Sequence, residues 1–343
     1  MAFLKRRRKP ADPVGDFWAW WTDSGARLVA DAIAAGNPQS IVGELAGRID
    51  RIEPELAWEL GPGLHAEHVL VVTAAGNPGL RAAARRWLRA APAADELWEY
   101  ADLRRPTPDA VLRLEGAPPM PVAETLVTVQ PDDAAAAIHV GVHHPAYPGL
   151  PRQLQQTATF LLLDAILGEE LVETWIGAIE SLARRPDDAA PIGDLLAQVA
   201  AFAAHHTASD GTPSWRLLEG RSSEGDRLVA SVEIPLRPIR LPQLDTHVGV
   251  RVPFTGARED GLPEPAALDS LRALEDHLTT RLGDSGRLLA HETSGGSRLL
   301  HFYVDGNTPA AEQLRVAVTG WQHGQVELTV DADPGWEQVG HLR

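Results

Sequence analysis

Between residues 246 and 330 the hydrophobic period changes from about two to about 3.6 and back, twice over, and few folds accommodate that rhythm. Thr246, Val248, Val250, Val252 and Phe254 alternate with His247, Gly249, Arg251 and Pro253, the pattern of a strand with one buried face. Pro265 opens a helix carrying Leu268, Leu271, Leu274, Leu278 and Leu282, and Gly283 closes it. Arg287 to Asp305 reads as a strand, a turn at Gly295-Gly296 and a second strand. Thr308 and Pro309 start another helix with Leu314, Val318 and Trp321 along one side; Val326, Leu328 and Val330 then alternate in a last strand. The order β-α-β-β-α-β is the split-βαβ, or ferredoxin-like, unit. Its right-handed crossovers set the first and third strands side by side, antiparallel, with both helices on one face.

A chain of 343 residues predicts about two domains and ample core without disulfides or structural metal. The expected fold class is α+β, with the ferredoxin-like sandwich over 242–343 and an N-terminal domain of mixed α/β layers over 15–241. Phe17-Trp18-Ala19-Trp20-Trp21 opens a helix whose apolar spacing runs on to Ile33, so the tryptophans are expected in a core. His68 to Thr73 reads as a buried strand followed by a helix after Asn77-Pro78. Thr157 to Ala183 reads as one long helix with Phe160, Leu163, Leu167, Trp175, Ile176 and Ile179 inward, and with Glu169, Glu173 and Glu180 on a solvated acidic stripe. Trp215 to Leu218 and Leu228 to Ile234 read as strands leading to a boundary near Pro242.

Composition excludes several chemistries. Cys is absent, which removes thiol catalysis and thiolate zinc sites and fits a cytoplasmic setting. Net charge is −16, and Lys5 to Lys9 hold five of the 31 basic residues, leaving 26 against 47 acidic ones. A body of that sign repels polyphosphate, so nucleic acid is not an expected partner. Residues 1–14 read as a disordered basic tail able to make weak contact with an anionic surface. No apolar run approaches the length of a membrane span. No phosphate loop, dinucleotide fingerprint, H-E-x-x-H or G-x-S-x-G is present, so no cofactor and no metal are expected. Asp331 and Asp333 could hold a metal, but Pro334-Gly335 directly after them reads first as turn chemistry.

Asp245-Thr246-His247, Asp260-Gly261-Leu262-Pro263, Leu274-Glu275-Asp276, His291-Glu292-Thr293, Gly296-Ser297-Arg298 and Asp333-Pro334-Gly335-Trp336 together resemble domain of unknown function family 695 over about the last hundred residues. Members of that family look like relatives or neighbours of the ribonuclease-regulator B family, a ferredoxin-like inhibitor of an RNA-degrading enzyme. The resemblance implies a protein-binding role and supplies no activity.

The sheet face away from the two helices is where chemistry would lie. His247 and Arg251 point there from the first strand. Leu300, Phe302 and Val304 suit the covered face, which sends His301 and Tyr303 to join them. A three-residue turn at 294–296 would pair His291 with Leu299 and add it to this cluster, whereas a two-residue turn would pair it with Leu300 and send it to the opposite face. Candidate ligand- or partner-binding residues are His247, Arg251, His291, Arg298, His301 and Tyr303. The leading expectation is a non-catalytic, intracellular protein-binding or regulatory protein. The alternative is a small-molecule-binding protein or hydrolytic enzyme with a His/Arg site at the domain junction.

Overall fold

The computed structural model describes residues 12–343 apart from Glu224. Lys5 to Lys9 lie outside the described residues. The end of the expected tail is ordered helix: the Asp12 carboxylate accepts from the Gly15 amide and caps a helix that begins at Pro13. The described residues form two compact units, one ending at Leu103 and one starting at Arg104.

In the first unit, helices α1 (Pro13–Trp20) and α2 (Ala26–Ala34) are joined by one π-helical turn, Trp21–Gly25, and followed by α3 (Gln39–Ile49). Strands β1 (Ala57–Pro62), β2 (His68–Thr73) and β3 (Trp98–Ala101) form a sheet in that order, with α4 (Pro78–Arg89) crossing between the parallel β2 and β3. Phe17, Trp18, Trp21, Trp87 and Trp98 fill the core, as the periodicity predicts. Trp20 stays half-buried beneath the Arg48 guanidinium, 4.1 Å from its ring.

The second unit has three hydrophobic clusters. Short strands β4 (Val111–Leu112) and β5 (Met120–Pro121) pair with each other. A four-stranded sheet takes β6 (Leu126–Asp132), β7 (Ala137–His143), β8 (Ile176–Ser181) and β9 (Ala190–Pro191) in the order β8-β7-β6-β9. Helices α5 (Arg152–Trp175) and α6 (Leu195–His205) pack on it. The expected 27-residue helix therefore ends early, because Ile176 to Ser181 pair with β7 as a parallel strand. Pairing overrides helical spacing here, and Gly177 lets the strand lie against His139, whose Nδ1 would be 2.6 Å from any added Cβ. Phe160, expected inward, is 52% exposed. Glu169, expected on a solvated stripe, is buried beside a break in α5 at Gly168 (φ +74°) and accepts the Arg104 amide at 3.1 Å.

The last sheet is antiparallel and six-stranded: β10 (Ser214–Arg221), β11 (Arg227–Ile234), β12 (Thr246–Pro253), β13 (Gly286–Ser294), β14 (Ser297–Val304) and β15 (Glu327–Ala332), ordered β10-β11-β13-β14-β12-β15. Helices α7 (Pro265–Leu282) and α8 (Ala310–Ala317) cover one face. There Val248, Val250, Val252, Leu300, Phe302 and Val304 meet Leu271, Leu274, Leu278 and Leu314. The sheet thus draws two strands from ahead of Pro242. Part of its second face is covered as well. Trp336, Val339 and Leu342 from the C-terminal segment fold back against Tyr303, Ala290 and Val232. The Trp336 indole N–H anchors that segment by donating to the Leu244 carbonyl at 2.9 Å.

Candidate functional site

The side chains expected on the face away from α7 and α8 do meet there, but as a buried chain and not as an open cluster. His247 and His301 are only 4% and 3% exposed. His301 Nε2 lies 2.9 Å from Glu292 Oε1, and a carboxylate only accepts, so this nitrogen carries the proton. A neutral His301 then accepts at Nδ1 from His247 Nε2–H at 3.0 Å. His247 Nδ1 is left buried with no hydrogen-bond partner. Burial, and the neighbouring His301 ring after it, hold the His247 pKa down to about 4. His341, from the C-terminal segment, bonds the same Glu292 oxygen at 3.0 Å. The hydrogen bonds from His301 and His341 keep the Glu292 pKa below its ordinary value despite burial.

Gly249 makes room for this stack. It sits opposite His301 in the β12–β14 register, and a Cβ there would lie 3.1 Å from His247 Cε1 and 2.7 Å from Thr329 Oγ1. Tyr303 is fully buried and donates its hydroxyl to Asp333 Oδ2 at 2.5 Å; burial, with the Asp333 bond behind it, raises its pKa. Asp333 also accepts the amides of Glu337 and Gln338, so it caps the final 3-10 turn, in line with the turn reading of Asp333-Pro334-Gly335.

Residues 223–339 match the model of DUF695, a family of unknown function. The match begins ahead of the expected last hundred residues and takes in β11. His247, Arg251, Glu292, His301, Tyr303 and Asp333 all lie inside the DUF695 region, whereas His341 and β10 lie just outside it. No curated protein and no solved structure matches the chain. Among the described residues no group of three or more His, Asp or Glu is placed to hold a metal ion, and no helix is long and apolar enough to cross a membrane.

His291 and Arg298 do not join the cluster. Ser294 pairs with Ser297, so Gly295 (φ +54°) and Gly296 (φ +76°) form a two-residue turn of the kind that needs positive φ at both positions, and His291 stands opposite Leu300. That places His291 and Arg298 on the α7 side of the sheet. Both contact Glu275 Oε1, at 3.2 Å and 2.6 Å, and Arg298 Nε donates to Thr293 Oγ1 at 2.9 Å. Burial raises the Glu275 pKa, but the hydrogen bonds and charges of His291 and Arg298 outweigh it and bring the net shift below normal. The six sequence candidates therefore fall into a buried His247–His301–Tyr303 row, a buried Arg298 with a half-buried His291 on the other face, and Arg251 alone at the surface.

Arg251 opens onto a hollow of about 410 Å³ at the hairpin end of the DUF695 sheet. Asp226, Glu292, Ser294, Ser297 and Leu299 also line it. The only hydrogen bond of the Arg251 guanidinium is a 3.5 Å contact to Ser297 Oγ, and no carboxylate lies within salt-bridge reach among the described residues. Sequence reading missed Glu292 and His341. The alternation along β13 already puts Glu292 on the same side as Ala290, but its meeting with His301 depends on the register that the two-residue turn sets.

Proposed function

We propose that this chain is a non-catalytic protein-binding protein whose C-terminal sheet, a ferredoxin-like unit widened by two strands, accepts an extended segment of a protein partner along β10. The ferredoxin-like reading is supported by the order β13-β14-β12-β15 and by both helices packing on one face. The docking reading rests on one observation. Among the described residues β10 is an outermost strand, paired only with β11, and it carries Trp215 and Leu217 on one side at 47% and 65% exposure. An exposed edge with apolar side chains two residues apart is a template for strand addition, in which main-chain hydrogen bonds supply affinity and alternate side chains supply choice. Arg216 ties the same strand to the carbonyls of Asp133 and Ala134, so the edge is held in place. His247, His301 and Tyr303 are bonded along a row to Glu292 and Asp333, and His291 and Arg298 to Glu275. A net charge of −16 favours a partner with basic flanks around its apolar positions.

The test compares the wild type with Trp215→Ser/Leu217→Ser in native lysate, with cross-linking to locate the contact. A partner cross-linked to residues 214–221 and lost from the double variant is expected. Retention of the same proteins by both, with cross-links elsewhere, refutes strand docking.

A further inference from the structure

We propose that the hollow at the hairpin end of the C-terminal sheet binds a small zwitterion, an amine and a carboxylate on one short molecule, and that apolar α-amino acids are the class it fits. Three residues in register across adjacent strands make its floor. Arg251 on β12 stands opposite Leu299 on β14, and Leu299 stands opposite Glu292 on β13. Neighbouring strands are about 4.8 Å apart, so the two charged residues start from backbones roughly 10 Å apart with an apolar side chain between them. Both side chains line the same hollow.

Each charge keeps capacity for a ligand. Arg251 has five donor hydrogens and spends at most one, on the long contact to Ser297. His301 and His341 both bond Glu292 Oε1, and Oε2 has no hydrogen-bond partner among the described residues. Asp226 adds a second carboxylate over the turn, with Oδ2 3.2 Å from where a Gly295 Cβ would stand. Leu228 and Leu299 give the hollow its apolar part. The volume suits a molecule of amino-acid size.

Electrostatics decides between ligand classes. A simple anion drawn to Arg251 meets Glu292 and Asp226, and a simple cation drawn to the carboxylates meets Arg251. Only a molecule carrying both charges turns every contact attractive. Glu292 is held ionised by its histidines, which suits it to an ammonium group and makes it a poor proton donor. The site is therefore one of recognition, and it is separate from the β10 edge.

Calorimetry on the full chain with L-leucine, isopentylamine and 4-methylpentanoate separates the charges, because the last two are leucine without its carboxylate and without its amine. Leucine is expected to bind at least about tenfold more tightly than either fragment, the scale of one charge-assisted hydrogen bond. Arg251→Gln should weaken leucine and not weaken isopentylamine, from which it removes a like-charge repulsion. Glu292→Gln should weaken leucine and isopentylamine and not weaken 4-methylpentanoate, from which it removes a like-charge repulsion. No binding at millimolar leucine, a fragment that binds as well as leucine, or an Arg251→Gln protein with wild-type affinity overturns the proposal. Arg251 is exposed and holds nothing else in place, so that variant carries the test even if Glu292→Gln fails to fold.

Discussion

The buried His247 should make the C-terminal sheet sensitive to mild acid, by an amount that follows from its surroundings. Its folded pKa is about 4 against an ordinary value of 6.5, because the charged form would lose water and meet His301. A histidine with a depressed folded pKa binds its proton only in the unfolded chain as pH falls from 6.5 towards 4. Stability is therefore full above about pH 6.5 and declines below it, by about 1.4 kcal/mol per pH unit where the unfolded state alone is protonated. Between pH 7 and pH 5 the loss integrates to roughly 2 kcal/mol, or about 20-fold in the opening equilibrium. Amide hydrogen exchange of peptides covering 246–253 and 297–304, corrected for the intrinsic pH dependence of exchange, reads that opening directly. His247→Gln cannot titrate and keeps an N–H for His301, so its protection factors should fall about 20-fold less over the same interval. His144 and His206, whose pKa values burial also depresses, are common to both proteins and cancel in the comparison. Parallel pH profiles for the two proteins, or a His247 ring proton titrating near 6.5, would refute the reasoning.

Two further perturbations probe the same sheet. Gly249→Ala places a methyl 2.7 Å from Thr329 Oγ1 and 3.1 Å from the His247 ring, and should cost about 1–3 kcal/mol, seen as a lower denaturant midpoint; an unchanged midpoint would mean that the histidine stack has slack. Glu275→Leu leaves the Arg298 guanidinium, whose side chain is 6% exposed, without its counter-charge, and should cost about 3–5 kcal/mol. Adding Arg298→Leu should recover much of that loss, and a double variant less stable than the single one would contradict a charge-burial origin.

What the sequence made legible was whatever an element decides by itself. The strand–helix rhythm from Thr246 to Val330 is visible because each element carries its own apolar face, and Val248, Leu271, Phe302 and Leu314 then meet in one core. The side on which His247, His301 and Tyr303 stand followed from the same parity. Non-local pairing was not legible. Ile176 and Ile179 keep helical spacing with Trp175 but are claimed by β7, and nothing in β10 or β11 alone says that they extend the sheet of β13. The cover on the second face comes from Trp336, Val339 and Leu342, a segment too short to announce a partner by periodicity. The Gly295-Gly296 pair did contain the answer to the register question, since two consecutive glycines meet the positive-φ demand of a two-residue turn.

That turn couples the two faces of the sheet. Side chains alternate strictly along β13 between His291, Glu292 and Thr293, so the register that brings His291 and Arg298 to Glu275 also sends Glu292 to the opposite side. On each face one carboxylate is gripped by two basic side chains: Glu275 by His291 and Arg298 beneath α7, Glu292 by His301 and His341 at the edge of the hollow. A one-residue slip would break both arrangements together. It would leave Arg298 and His301 without their acids and expose Leu300 and Phe302, losses that together rival the total stability of a small domain. The sealed ion pair thus fixes the register, and the register is what presents Glu292 Oε2, Leu299 and Arg251 side by side at the surface.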